Sequence, residues 1–92
     1  HSAAAHQRDR AIPLIDVREP NEWAAGHAPD AVHIPLGELR VEALPPGETY
    51  YMICRSGNRS GVATKALIKA GVDAVNVAGG MIAWQRAGLP VD

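Results

Sequence analysis

The chain has 92 residues, 47% of them apolar, and a formal net charge of −1. That length suits one small domain with a modest core, and that composition excludes a disordered chain. The near-neutral charge gives no reason to expect nucleic acid or an anionic membrane as a partner, and no apolar run nears the ~20 residues that a membrane-spanning helix needs.

Residues 1–12 are polar and Ala-rich and lack the apolar stretch of a signal peptide, which points to the cytoplasm. They are expected to form a tail or part of a first helix, with the domain at 13–92. Pro13 to Val17 reads as a short buried strand. Pro20 to Ala25 follows as a helix, with Pro at its start and Gly26 at its end. Ala31 to Pro35 is a second strand, stopped by Pro35. Leu36 to Leu44 is expected to be a short helix, stopped by the loop signal Pro45-Pro46-Gly47. Thr49 to Ile53 is rich in β-formers and is the best strand in the chain. A helix from about Arg59 to Ala70 places Val62, Ala66, Leu67 and Ala70 on one face, and Gly71 caps it. Ala74 to Ala78 is the next strand, and Met81 to Ala87 the last helix. Strands alternating with helices imply an α/β domain with a parallel sheet covered on both faces. Ligands in such folds bind at the C-terminal ends of strands.

Cys54 sits at such an end, and it is the one cysteine in the chain. It opens the loop Cys54-Arg55-Ser56-Gly57-Asn58-Arg59-Ser60. Three features converge on its sulfur. The loop leads into a helix N-terminus, whose free N–H groups favour an anion. Arg55 and Arg59 bracket it with permanent positive charge. Gly57 permits a tight turn in which successive N–H groups point inward. All three would stabilise a thiolate. The alternative is a buried structural cysteine followed by an ordinary polar loop, since free cysteine is often core material. Local physics leaves both readings open.

The loop C-R-S-G-N-R-S resembles the active-site loop of rhodanese-homology domains. Two more segments agree in register. Leu14 to Glu19, with Trp23, Gly26 to Ala31 and Ile34-Pro35-Leu36, resembles that family's N-terminal signature. Gly79 to Trp84, with Gly88 to Val91, resembles its C-terminal one. The resemblance implies a small three-layer domain with a central parallel sheet of four to five strands and helices on both faces. It also implies a thiosulfate-type sulfurtransferase needing no cofactor, in which Cys54 carries sulfur as a persulfide. The partners would be a small anionic donor and a cyanide, thiol or protein-thiol acceptor, with Arg55, Ser56, Gly57, Asn58, Arg59 and Ser60 binding the donor. Asp16 would brace the loop from beneath, and Arg18 would pair with Glu19 or Glu22. Both have a purely structural alternative. A monomer is the default expectation.

The pattern departs from the family in three places. The strand and helix that usually precede Pro13 are at best partly present in residues 1–12. Asp30 stands where many members have Gly, and Ala28 where many have a larger aliphatic residue. His27 and His33 lack Cys or acidic partners at a metal-ligand spacing, so a structural role is expected and no metal. Trp23 and Trp84 read as core anchors, and Tyr50 and Tyr51 as pointing to opposite faces of one strand. Two other functions compete. A related cysteine phosphatase would need five residues between Cys and Arg, where this loop has four from Cys54 to Arg59. A sulfur carrier or a non-catalytic binding module is the second, and an intact cysteine loop argues against the inactive form.

Overall fold

In the computed structural model, residues 13–29 and 31–91 are described. The expectations for residues 1–12 and for Asp30 lie outside them. Four strands make one sheet: β1 (Leu14–Asp16), β2 (Val32–His33), β3 (Thr49–Ile53) and β4 (Asp73–Asn76), in the order β2-β1-β3-β4. All three pairings are parallel, with Ile15 opposite Val32, Ile15 opposite Met52, and Met52 opposite Asn76. The helices are α1 (Pro20–Ala24), α2 (Asn58–Lys69) and α3 (Gly80–Arg86).

Parallel strands covered on both faces need apolar side chains on both, and β1 and β3 meet this. On one face Ile15, Tyr50 and Met52 pack with Val17, Ile34, Cys54, Ala74 and the α2 residues Ala63 and Leu67. On the other, Leu14 and Ile53 pack with Ala28, Met81 and Trp84. The result is the expected three-layer α/β arrangement. Tyr50 and Tyr51 divide between the faces, as strand alternation requires. Ala28 is fully buried in the second cluster.

Two expectations are corrected. The segment 36–44 is not one helix. It is two three-residue 3₁₀ turns, Leu36–Glu38 and Val41–Ala43, with Leu39 and Arg40 extended between them. Leu36, Leu39 and Leu44 all pack against the first cluster. Their spacing suits a continuous helix and equally a chain that bends along the core, so periodicity does not decide between the two. The face of α2 is also rotated from the sequence reading. The buried residues are Ser60, Ala63, Thr64 and Leu67, while Val62 is 62% exposed and Ala66 and Ala70 are exposed. Both sets have helical spacing, so periodicity alone does not separate them. The face is chosen by Ser60 and Thr64, whose hydroxyls find partners when buried.

The last βα turn runs through Gly79 and Gly80, both left-handed. Gly80 is compulsory for two reasons. Its φ is +56°, and a Cβ there would lie 2.3 Å from the Cys54 carbonyl oxygen and 2.6 Å from the Arg55 carbonyl. This close approach lets the Met81 N–H donate to the Cys54 carbonyl at 2.8 Å and the Ile82 N–H to that of Arg55 at 3.0 Å. The start of α3 thus fixes the backbone at the end of β3. Gly80→Ala is expected to cost more than about 2 kcal/mol, combining left-handed strain with a backbone collision. Gly88→Ala, at φ +72° with nothing within 4 Å of its Cβ, is expected to cost about 1 kcal/mol. Urea unfolding of the two variants checks the difference.

Candidate active site

Cys54 is the first residue after β3, and it is 1% exposed. The chain then turns sharply and enters α2 at Asn58. The turn depends on Gly57, which has φ 103° and caps the helix. That conformation sends the Gly57 N–H back to the sulfur, 3.0 Å from Cys54 Sγ. The Ser60 hydroxyl approaches the same sulfur at 3.3 Å. Burial pushes the Cys54 pKa up. The Ser60 hydroxyl and the backbone N–H groups of Ser60, Gly57 and Ser56 outweigh it, so the net shift is downward from 9.0. Donors fixed in place therefore stabilise the thiolate relative to its ordinary level. The thiolate is the nucleophilic form of cysteine.

Asn76, at the end of β4, was not singled out by the sequence reading. Its Nδ2 donates to the Gly57 carbonyl at 3.1 Å, and its Oδ1 accepts from Ser60 Oγ at 2.5 Å. The side chain therefore clamps the two groups that contact the sulfur. Ser60 has one hydroxyl proton for two acceptors, Asn76 Oδ1 and Cys54 Sγ. A polar residue at the C-terminal end of the strand next to β3 was the available signal.

The structure divides the two arginines of the loop. Arg59 makes a bidentate ion pair with Glu22 of α1, at 2.5 and 2.8 Å. This hydrogen-bonded guanidinium, helped by the Glu19 N–H and opposed by burial, holds the Glu22 carboxyl down at about 2. Glu22 also accepts from the Glu19 N–H at 3.0 Å, closing a capping box on α1. Arg55 is exposed, and among the described residues it makes no ion pair. The side chains of Ser56 and Asn58 are exposed.

The expected partners of Asp16 and Arg18 are corrected. Asp16, fully buried, does not reach the cysteine loop. Its carboxylate takes the Arg18 backbone N–H at 3.0 Å, Nε at 2.9 Å and Nη2 at 2.8 Å. Arg18 pairs with Asp16, not with Glu19 or Glu22, and its Nη2 also donates to the Gly26 carbonyl at 2.7 Å. A carboxylate with no solvent contact needs a full charge partner, and alternation places Arg18 on the same side two residues later. The pair ties the end of β1 to the end of α1.

His27 and His33 serve packing. Trp23 stacks on His27, with ring centroids 3.6 Å apart, and on His33, at 4.7 Å. His33 Nε2 lies 2.8 Å from the Arg18 carbonyl. Trp84 is buried, with its indole N–H on the Pro90 carbonyl at 2.7 Å, while Trp23 is only partly covered.

Known proteins resemble this chain in sequence and in fold. The model of the rhodanese-like domain family matches residues 1–87. The chain is 46% identical over 86 residues to YtwF of Bacillus subtilis, named as a candidate sulfurtransferase, covering 91% of this chain and 84% of that one. It is 45% identical over 83 residues to slr1261 of Synechocystis sp., covering 87% of this chain but only 46% of that protein. The crystal structure of a rhodanese-related protein from Thermoplasma volcanium superposes with a TM-score of 0.85 at 35% identity, over 99% of this chain and 93% of that one.

Two predictions follow from the clamp and the ion pair. Asn76→Ala frees Ser60 and the Gly57 carbonyl and is expected to slow Cys54 alkylation by iodoacetamide about tenfold, the value of one hydrogen bond. Asn76→Asp, which keeps the acceptor for Ser60, recovers part of that rate. A depressed carboxyl stabilises the fold above its unfolded pKa and ceases to as pH falls through its folded one. Acid titration of stability from pH 4.5 down to about 2 therefore removes an increment that Glu22→Gln lacks, about 1 kcal/mol after solvent screening.

Proposed function

Taking the chain as a member of the rhodanese-like domain family, we propose that it is a sulfurtransferase that moves sulfane sulfur through a persulfide on Cys54. The observation that carries this reading is the buried sulfur receiving the Gly57 N–H and the Ser60 hydroxyl at the C-terminal end of β3. The kinship to YtwF supports the reaction class.

The Cys54 thiolate attacks the outer sulfur of a donor. With thiosulfate, the S–S bond breaks, sulfite leaves with the bonding pair, and Cys54 keeps the sulfur as a persulfide anion. A nucleophilic acceptor, cyanide or a thiolate, then takes the outer sulfur and returns the Cys54 thiolate. This is double displacement with a covalent intermediate. The loop N–H groups stabilise negative charge on the sulfur at each stage without reorganising. Arg55 steers an anionic donor toward the loop by long-range attraction. The chemistry needs only the protein's own groups. A cytoplasmic setting, where acceptor thiols stay reduced, suits it. No helix among the described residues is long and apolar enough to cross a membrane.

Phosphatase chemistry is not proposed, because only four residues separate Cys54 from Arg59, one fewer than such a loop needs, and Arg59 is paired with Glu22. The remaining alternative is a persulfide carrier that takes sulfur from a protein partner. Intact mass after exposure to a panel of sulfane donors, thiosulfate included, separates these readings. A gain of about 32 Da that cyanide removes and that Cys54→Ala lacks is the expected result. No adduct from any small donor would favour the carrier or a binding module.

A further inference from the structure

Ser60 is fully buried, so its single hydroxyl proton is divided among protein acceptors. Two lie in reach, Cys54 Sγ at 3.3 Å and Asn76 Oδ1 at 2.5 Å. Neither can return a proton. Asn76 Nδ2 donates to the Gly57 carbonyl at 3.1 Å, which leaves Oδ1 to face Ser60. A thiolate carries no proton at all. The Ser60 backbone is pinned in the first turn of α2, where its carbonyl accepts from Thr64 Oγ1 at 2.7 Å. The hydroxyl therefore changes partner by turning about its own Cβ–Oγ bond, with the heavy atoms in place.

The two acceptors change rank as sulfur is carried. In the thiolate, Sγ bears the charge, and a hydrogen bond to an ion is roughly twice as strong as a neutral one. The proton then belongs on Sγ. In the persulfide, Sγ is the inner sulfur, bonded to carbon on one side and to sulfur on the other. The charge has moved to the outer atom, and a neutral divalent sulfur is a weak acceptor. The proton then belongs on the Asn76 amide oxygen, which lies at the shorter distance.

We propose that the Ser60 hydroxyl is a two-position donor, on Cys54 Sγ in the free enzyme and on Asn76 Oδ1 in the loaded one, and that Asn76 is the positioning residue that receives it. The proposal rests on the sulfurtransferase reading and assigns Ser60 a role in each half-reaction. In loading, the Cys54 thiolate attacks the outer sulfur of the donor, and the donor departs with the bonding pair. The hydroxyl lets go of Sγ as the new S–S bond forms. In unloading, the acceptor attacks the outer sulfur, the S–S bond breaks and its pair returns to Sγ. The hydroxyl turns back to Sγ as that atom becomes the leaving group. A hydrogen bond changes partner at each stage, and no proton is transferred. Such a donor helps the thiolate leave and weakens it as an attacker, since nucleophilicity falls with thiol pKa while departure quickens.

The test times the two half-reactions separately by intact mass, with thiosulfate loading Cys54 and sulfite unloading it. The pH is set high enough that the thiolate is fully formed in each protein, so ionisation does not enter. Ser60→Ala is expected to load about threefold faster than the wild type and to unload about threefold slower. A purely structural role for Ser60 slows both. Rates that move in the same direction, or that do not move, would overturn the proposal and leave the sulfurtransferase reading standing. A second measurement needs no variant, so it holds even if Ser60→Ala fails to fold. The NMR resonance of the Asn76 side-chain carbonyl carbon is expected to move downfield when the wild type is loaded, as its oxygen gains the hydroxyl proton. A resonance that stays in place or moves upfield would overturn the proposal. If neither thiosulfate nor polysulfide loads the wild type, the sulfurtransferase reading fails and the proposal with it.

Discussion

The turn at Gly57 is the constraint on which the site depends. Its left-handed backbone, φ 103°, aims an N–H at the sulfur of a cysteine that is 1% exposed. Burial by itself disfavours a thiolate. The geometry reverses this because several donors meet at one atom without leaving their places in the fold. Preorganised donors of this kind act most strongly where water is excluded.

The surrounding structure holds that turn from three sides. Asn76 fastens the Gly57 carbonyl and the Ser60 hydroxyl to the end of β4. The start of α3 binds the carbonyls of Cys54 and Arg55, an approach possible only because residue 80 has no side chain. Arg59 ties the first turn of α2 to Glu22 of α1. The backbone at the loop therefore spends its carbonyls outward, on Asn76 and α3, and its N–H groups inward, on the sulfur. The Asp16–Arg18 pair fixes the neighbouring strand end in the same way.

Much of this was legible in the sequence. The strand-helix alternation, the place of Cys54 after the strongest strand and the need for Gly57 all follow from local chemistry, and the three separated motifs identified the family. What was not legible depended on contacts distant in sequence. Arg59 and Glu22 are 37 residues apart, and nothing local marks them as partners. Asn76 looked like an ordinary strand residue until the register set it opposite Met52. The helix face of α2 went wrong because a hydrophobic count favours Val62 over Ser60, whereas burial was decided by where hydroxyls could be satisfied. The segment 36–44 carries leucines that suit a helix and equally suit a bent chain lying along the core.

The most direct measurement of the central claim is the pH titration of the Cys54 thiolate by its ultraviolet absorbance, in the wild type and in Ser60→Ala. The fixed-donor account predicts a wild-type midpoint below the ~8.5 of a free cysteine and a higher one when the hydroxyl is removed. A wild-type midpoint above that value, unchanged in Ser60→Ala, would show that burial governs the sulfur and would contradict the account.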